Sequence, residues 1–167
     1  PISLFEPDEA LATKFAGEVP DFDATQWLSK PETRRYDRFL HLALAAGLEA
    51  VEDSGLTIDA SNARRVATIL GVGLGGMPFL EDTISKRIAS RQLRRVSPFF
   101  IPGLIANMAP GLLSIYTGAR GESWTATSAC ASANHAIGAS LRALRSGACD
   151  VALTGGAEGV VCHTTIA

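Results

Sequence analysis

Three short apolar segments, each the length of a buried strand, alternate with longer segments of helical periodicity. This alternation is the strongest constraint on the fold. The strand-like segments span residues 66–72, 123–127 and 151–154, and the helical ones span 36–53, 77–90, 104–116 and 132–146. Such alternation is typical of α/β proteins. The sequence therefore predicts an α/β fold, with Pro110 kinking or dividing the helix over 104–116. Residues 1–34 and the "SPFFIPG" stretch are predicted to be irregular.

Composition narrows the class of protein. The chain has 167 residues, 47% of them apolar, which is enough for one compact domain over residues 1–167. No apolar run reaches the roughly 18 residues that span a bilayer, and no signal peptide is visible. The net charge of −2 argues against general nucleic-acid binding. We also expect the chain to be part of a longer protein, because it opens on Pro1 and stops soon after a strand and a glycine turn.

The three cysteines indicate a reducing compartment, because they form neither an even disulfide set nor a zinc-binding spacing. We therefore expect a cytoplasmic protein with no metal site. Cys149 and Cys162 are interpreted as structural residues.

Residues 71–76, "GVGLGG", match the G-x-G-x-x-G pattern of dinucleotide-binding loops and follow a predicted strand. Such a site also requires a helix immediately after the loop and an acidic residue about 20 positions on. Here Pro78 follows, and the region around 91–95 carries only bases. A loop where backbone segments approach closely is favoured, and a nucleotide-binding module remains an alternative.

Two clusters of basic residues stand out. One comprises Lys86, Arg87, Arg91, Arg94 and Arg95, and the other Lys30, Arg34, Arg35 and Arg38. Each is either a solvated surface or a docking site for an acidic partner.

The three histidines give weaker signals. His41 lies in a predicted helix and is interpreted as structural. His135 follows Cys130 by five residues in one predicted helix, which rotates it away from the thiol and disfavours a Cys–His pair. His163 has no informative context.

Cys130 is the strongest candidate for chemistry. It lies where a predicted strand passes into a predicted helix, within "SWTATSACASANHAIG". A helix N-terminus lowers the pKa of a thiol and offers free N–H groups to an oxyanion. The small neighbours leave room for a substrate. An inert core cysteine is the alternative interpretation.

The segment "TSACASANHAIGASLRALRSGACDVALTGGAEG" resembles the active-site segment of the β-ketoacyl-acyl carrier protein synthases, in the elongating branch of the thiolase superfamily. "ATKFAGEV", "GVGLGG", "SPFFIPGLIANMAPG" and "TGARGES" resemble the same family in the same order. The resemblance implies the N-terminal half of a thiolase-like layered α/β/α/β/α architecture. It also implies acyl transfer to Cys130 and decarboxylative condensation with malonyl carrier protein, as in fatty acid elongation. No cofactor is implied, since phosphopantetheine arrives on the acyl carrier protein.

The resemblance assigns roles to other residues. Leu74 would line or gate the acyl pocket, and Phe100 and Ile101 would help to wall it. Strand 122–127 would pair across a homodimer, or across a heterodimer with a related subunit. The basic residues expected to dock the acyl carrier protein are Lys30, Arg34, Arg35, Arg94 and Arg95.

The chain also departs from the family's pattern. The family completes catalysis with histidines in H-G-T and G-H-x-x-A motifs, and residues 1–167 contain neither. We therefore expect no condensation by this chain alone. A polyketide or aryl-polyene ketosynthase, and a non-catalytic subunit resembling chain-length factors, remain alternatives.

Overall fold

The computed structural model describes residues 2–6, 9–91 and 96–167. Its strands are β1 (Val66–Gly71), β2 (Ser123–Ala126) and β3 (Val151–Gly156). The helices are α1 (Lys30–Thr33), α2 (Arg38–Asp53), α3 (Met77–Ser90), α4 (Phe100–Leu104), α5 (Met108–Thr117), α6 (Ser132–Arg145) and α7 (His163–Ile166). Short 3-10 turns occur at Ala24–Gln26, Ala63–Arg65 and Ala129–Ala131.

The three described strands form one parallel sheet in the order β2-β1-β3. Thr68 pairs with Ser123, and Val66 with Val151, so the carboxyl ends of all three strands lie at one edge. Every residue of the central strand β1 is buried, which explains its continuous apolar sequence. The α/β class predicted from the sequence is confirmed.

The side chains of β1 alternate between two hydrophobic clusters, one on each face of the sheet. On one face, Leu70 packs with buried residues of α2 and α5, among them Phe39 and Leu113. On the other face, Ala67 and Ile69 pack with small residues of α6 and with Cys149. The result is a three-layer arrangement of helices, sheet and helix. Cys149 and Cys162 are both buried, in line with a structural role.

The amino ends of β1 and β3 are joined by the Arg65 side chain. Its guanidinium forms a two-pronged ion pair with Asp150, with N···O distances of 2.7 and 3.0 Å. It also donates to the carbonyl oxygens of Gly147 and Ala148 at 2.8 and 3.1 Å. This arrangement holds the amino ends of β1 and β3 in place, at the end of the sheet opposite to the carboxyl ends of the strands.

Three sequence predictions on local structure need correction. The "SPFFIPG" stretch is not wholly irregular, because it contains the start of α4. The helix predicted over 104–116 is divided, but the break falls at residues 105–107, before Pro110. Pro110 therefore lies in the first turn of α5, where a missing N–H breaks no intrahelical bond. Residues 1–34 likewise contain the short helix α1.

Helix α6 packs on the sheet through small residues rather than through its large apolar ones. Ser132, Ala136, Ala139 and Ser140 are buried. Ile137, Leu141 and Leu144 face outward, with 49%, 46% and 40% of their surfaces exposed. Small side chains let the helix lie close to the sheet, which also brings its first turn near the carboxyl ends of the strands.

No helix within the described residues is long and apolar enough to cross a membrane.

Candidate active site

Three segments that follow the strands meet at the carboxyl edge of the sheet. They are the glycine loop after β1, the turn after β2 that carries Cys130, and the segment after β3. Together they line an open cavity of about 550 Å³, whose walls include Gly73, Leu74, Cys130, Ala157 and Glu158. Ligand sites of α/β sheets form at this edge, because loops from neighbouring strands converge there. The cavity has the size expected for a small-molecule site.

The Cys130 turn is held by the hydroxyl of Ser132, which is buried. The Ser132 hydroxyl accepts a hydrogen bond from the Ser128 N–H at 2.9 Å and donates to the Ala129 carbonyl at 2.7 Å. Ala129 adopts a left-handed conformation, with φ of 50°. This sharp turn presents Cys130 as an exposed, free thiol at the cavity. The predicted strand-to-helix junction is therefore present.

The backbone around Cys130 is suited to hold a negative charge. Helix α6 begins at Ser132, so its free N–H groups and positive dipole end lie beside the thiol. Among the described residues, no protein group accepts a hydrogen bond from the Cys130 N–H. An oxyanion that develops at a carbonyl group in the cavity would find a donor there.

Two glycines allow α6 to approach the sheet this closely. A Cβ at Gly71 would lie 2.3 Å from the backbone carbon of Ser132, and one at Gly156 would lie 2.6 Å from the Ala133 Cβ. Both glycines are terminal residues of strands. Their lack of a side chain therefore sets the position of the first turn of α6.

The glycine loop binds a carboxylate of the chain itself. The Glu158 side chain accepts hydrogen bonds from the N–H groups of Gly73, Leu74 and Gly75, at 2.8, 2.8 and 3.1 Å. Successive N–H groups that converge in this way form an anion-binding concavity. Because Glu158 occupies it, the structure speaks against the nucleotide-binding alternative and favours the close-approach interpretation.

Asp37 ties the start of α2 to the start of α3. Its carboxylate accepts from the Phe39 N–H at 3.1 Å and from the Phe79 N–H at 2.9 Å. Burial raises the pKa of Asp37 to about 6, in spite of these hydrogen bonds, and the charge of Glu158 adds to the rise. The sequence analysis missed both carboxylates. An acidic residue before an apolar helix is a recognisable cap signal for Asp37, whereas nothing local marks Glu158.

The histidines do not pair with the thiol in this part of the protein. His135 Nδ1 lies 2.6 Å from the Ser128 hydroxyl, and within the described chain no hydrogen bond joins a histidine to Cys130. His41 is half-buried, and burial lowers its pKa, as expected for a structural residue. His163 packs on Phe5, with ring centroids 4.1 Å apart. The described residues contain no group of side chains able to hold a metal ion.

The other predicted pocket residues separate into two places. Leu74 lies in the cavity wall beside Cys130, and 56% of its surface is exposed. Phe100 and Ile101 belong to α4 and are not part of that wall. Phe100 instead stacks with Phe79, with centroids 6.2 Å apart. Helix α4 still touches the glycine loop, because the Gly76 N–H donates to the Leu104 carbonyl at 2.9 Å.

The basic residues predicted to dock a carrier protein are accessible where the structure describes them. Lys30, Arg34 and Arg35 are exposed, and none of the three forms a salt bridge with another described residue. The Arg35 guanidinium lies 4.6 Å from the centre of the Phe99 ring, just before α4. Arg94 and Arg95 lie outside the described residues.

Comparison with known proteins gives consistent matches over nearly the whole chain. The family described as "Beta-ketoacyl synthase, N-terminal domain" matches residues 3–167. A relative from Synechocystis sp., 3-oxoacyl-acyl-carrier-protein synthase 2, is 40% identical over 96% of this chain and 38% of its own length. The chain thus spans about two fifths of that relative's length.

Two solved structures share the fold. "The ishigamide ketosynthase/chain length factor" superposes with a TM-score of 0.87 at 29% identity, over 99% of this chain and 41% of the other. A type II PKS acyl-carrier protein in complex with its ketosynthase gives a TM-score of 0.79 at 23% identity, over 87% and 41%. The predicted fold, the N-terminal portion of a thiolase-like α/β architecture, is confirmed by these matches.

Proposed function

Because the chain belongs to the β-ketoacyl synthase family, we propose that it is the nucleophile-bearing part of a 3-oxoacyl-acyl-carrier-protein synthase of fatty acid elongation. One observation carries the proposal. An exposed thiol lies on a strained turn at a helix N-terminus, and it faces a cavity at the carboxyl edge of a parallel sheet. The Synechocystis relative, which is 40% identical to this chain, is named as an enzyme of this kind.

The first step is acyl transfer to Cys130. The thiolate attacks the carbonyl carbon of an acyl thioester carried on phosphopantetheine, and a tetrahedral oxyanion forms. The Cys130 N–H donates to that oxyanion. When the intermediate collapses, the bond to the pantetheine sulfur breaks, and that thiolate takes up a proton. Cys130 then holds the acyl chain as a thioester.

The second step forms a carbon–carbon bond. Malonyl carrier protein loses CO2, and the resulting carbanion attacks the Cys130 thioester. The Cys130 sulfur leaves, and the chain is two carbons longer. The resemblance assigns decarboxylation to histidines of the H-G-T and G-H-x-x-A motifs, which do not occur in residues 1–167. We therefore propose acylation, without condensation, as the activity of this segment by itself.

The surface suggests two kinds of partner. Lys30, Arg34 and Arg35 present positive charge that no described acidic residue pairs in a salt bridge, which suits an acidic acyl carrier protein. Strand β2 is an edge strand, and Ser123 and Trp124 are exposed on it. We propose that this edge pairs with a second copy or a related subunit, in the cytoplasm, where the free cysteines stay reduced.

A polyketide or aryl-polyene ketosynthase is the second candidate, favoured by the 0.87 TM-score with the ishigamide ketosynthase/chain length factor. It would use Cys130 in the same way but accept different acyl chains. Saturated acyl groups and β-keto or unsaturated ones, offered in competition to the full-length protein, would separate the two pathways. Cys130 itself argues against the third candidate, a non-catalytic subunit.

The proposed function is tested by acylation in the full-length protein. We would incubate the protein with a saturated acyl carrier protein and locate the adduct by intact-mass spectrometry and peptide mapping. An adduct on Cys130 is expected in the wild type and in Cys149→Ala, and not in Cys130→Ala. Cys149 is a matched control because it is buried and lies just before β3, at the amino end of the strand and away from the cavity. Folded wild-type protein that takes up no acyl group would contradict the proposal.

A further inference from the structure

The loop that carries Leu74 is held from one side by a single carboxylate. Glu158 accepts hydrogen bonds from three successive N–H groups, those of Gly73, Leu74 and Gly75. Hydrogen bonds to an ionised acceptor are about twice as strong as neutral ones. Glu158 follows β3, whereas the loop follows β1, so the contact joins two strands at the active-site edge.

The loop also lies close to the Cys130 turn. A Cβ at Gly73 would lie 2.8 Å from the Glu158 carboxylate and 3.5 Å from the Ala129 carbonyl. The backbone at Gly73 is therefore close to both Glu158 and the Cys130 turn. Gly75 has φ of 80°, a conformation that few other residues adopt, so the loop also needs its glycines to reach Glu158.

This geometry fixes the backbone of Leu74 relative to the Cys130 turn. The Leu74 N–H bonds to Glu158 directly, and Leu74, Cys130 and Glu158 all lie in the wall of one cavity. Since 56% of Leu74 is exposed, packing alone does not fix its position. The hydrogen bond from the Leu74 N–H to Glu158 restrains the backbone at this position.

We propose that Glu158 is a positioning residue that holds Leu74 at the Cys130 cavity and so determines which acyl chains reach the thiol. The inference rests on the proposed acyl transfer and extends it to the selectivity of the site. Glu158 acts through the loop and exchanges no proton or bond with the substrate. Its loss would leave the Cys130 turn intact, because Ser132 holds that turn independently.

The test compares chain-length selectivity in the full-length protein. We would measure acylation of Cys130 by butanoyl and by dodecanoyl carrier protein, and alkylation of the same thiol by iodoacetamide. In Glu158→Gln, and more strongly in Glu158→Ala, the ratio of the two acylation rates should change by about tenfold, as expected for the loss of charge-assisted hydrogen bonds. The alkylation rate of Cys130 should stay within about twofold of the wild-type rate, because iodoacetamide is too small for Leu74 to hinder its access to the thiol.

Two further variants make the test specific. Glu122→Gln is the matched control, since Glu122 is exposed and lies at the amino end of β2, away from the cavity. It should leave the ratio unchanged. In a Leu74→Ala background, Glu158→Gln should have no additional effect on the ratio, because residues that act through one another are not additive.

Amide hydrogen exchange gives a readout that does not depend on activity. Exchange at 73–75 should accelerate in Glu158→Gln, and unchanged exchange would overturn the proposal. The proposal would also be overturned if the two acylation rates and the alkylation rate fell together while the ratio of the acylation rates stayed the same. Such a result would indicate a purely structural role for Glu158. If the wild type accepts no acyl group, the proposed function fails, and the selectivity claim fails with it. If the wild type is acylated and the ratio is unmoved, only the claim about Glu158 fails.

Discussion

At the scale of single residues, the left-handed conformation of Ala129 is a feature that the proposed chemistry depends on. For an L-residue this region costs about 1–2 kcal/mol. Strain of this kind persists where surrounding contacts enforce it, and here the Ser132 hydroxyl binds the Ala129 carbonyl.

This strain predicts that two substitutions at position 129 will have different effects on the stability of the protein. Ala129→Val should destabilise the protein by about 1–3 kcal/mol, because a β-branched side chain fits φ of 50° poorly. Ala129→Gly should be nearly neutral, since relief of strain offsets the added freedom of the unfolded chain. Thermal unfolding and the iodoacetamide rate at Cys130 would measure both effects. Equal stability of the two variants would contradict the assigned turn.

Asp37 predicts a pH dependence of stability. Its pKa is about 6 in the folded protein and 3.8 as a free side chain, so the folded state binds its proton more tightly. The stability due to this group is therefore fully present below pH 3.8 and is lost as the pH rises through about 6. The gap corresponds to about 3 kcal/mol at most.

The Asp37→Asn variant isolates this contribution, because the amide cannot ionise. Across the interval from 3.8 to about 6, the free energy of unfolding should fall with pH more steeply in the wild type than in the variant. Urea unfolding at a series of pH values measures it. In Asp59, hydrogen bonds from Ser61 lower the pKa, so its contribution to stability is present above pH 3.8 and is lost as the pH falls. Asp59→Asn should therefore leave the slope between pH 3.8 and about 6 unchanged. Parallel curves for wild type and Asp37→Asn would refute the prediction.

The residue scale also shows where prediction from sequence stops. Cys130 could be singled out as the candidate nucleophile because its neighbours and its place between a strand and a helix are local features. Ala129 was not, since a positive φ at alanine is imposed by tertiary contacts and leaves no mark in composition. Glu158 was missed for the same reason, because its hydrogen-bond partners lie more than 80 residues away.

At the scale of elements, the close contact between β1 and α6 gives a further prediction. Gly71→Ala places a Cβ 2.3 Å from the Ser132 backbone, so strand and helix must move apart at a cost of about 3 kcal/mol. The shift should also lower the alkylation rate of Cys130, because Ser132 holds its turn.

Gly111→Ala is the matched control for this prediction. Gly111 lies inside α5, and a Cβ there would meet no atom within 4 Å. This substitution should stabilise the protein by about 0.5–1 kcal/mol through helix propensity alone. Chemical denaturation of both variants measures the difference. Similar behaviour of the two would show that β1 and α6 are not in close contact.

Prediction from the sequence succeeded where the period of apolar residues was sustained, as in α2, α3 and α6, and where a continuous apolar run marked a buried strand, as in β1. It failed for α4, whose five residues include a proline and a glycine and which is stabilised by contact with the glycine loop. The outward direction of Ile137, Leu141 and Leu144 was also unpredictable from their spacing. Periodicity groups residues on one face of a helix but does not say which face meets the sheet.

At the scale of the whole molecule, this outward apolar face predicts poor solubility of the 167-residue chain expressed alone. Contiguous exposed apolar surface favours association. Replacing Ile137 and Leu141 together by lysine should lower self-association, as measured by sedimentation velocity, and change folding stability by only about 0.5 kcal/mol. Ala136→Lys, on the buried face of the same helix, should instead unfold the chain. Unchanged association of the double variant would contradict this reading of the surface.

The Arg65 ion pair has a practical consequence for anyone who wishes to attach the protein to a solid support. The ion pair joins β1 and β3 at the end of the sheet opposite to the thiol. The Arg65 side chain also binds the backbone carbonyl groups of Gly147 and Ala148 there. A tether near this end would orient every molecule on a chip in the same way, with the reactive sulfur turned toward the solution. Biosensor immobilisation would then need no redesign of the cavity.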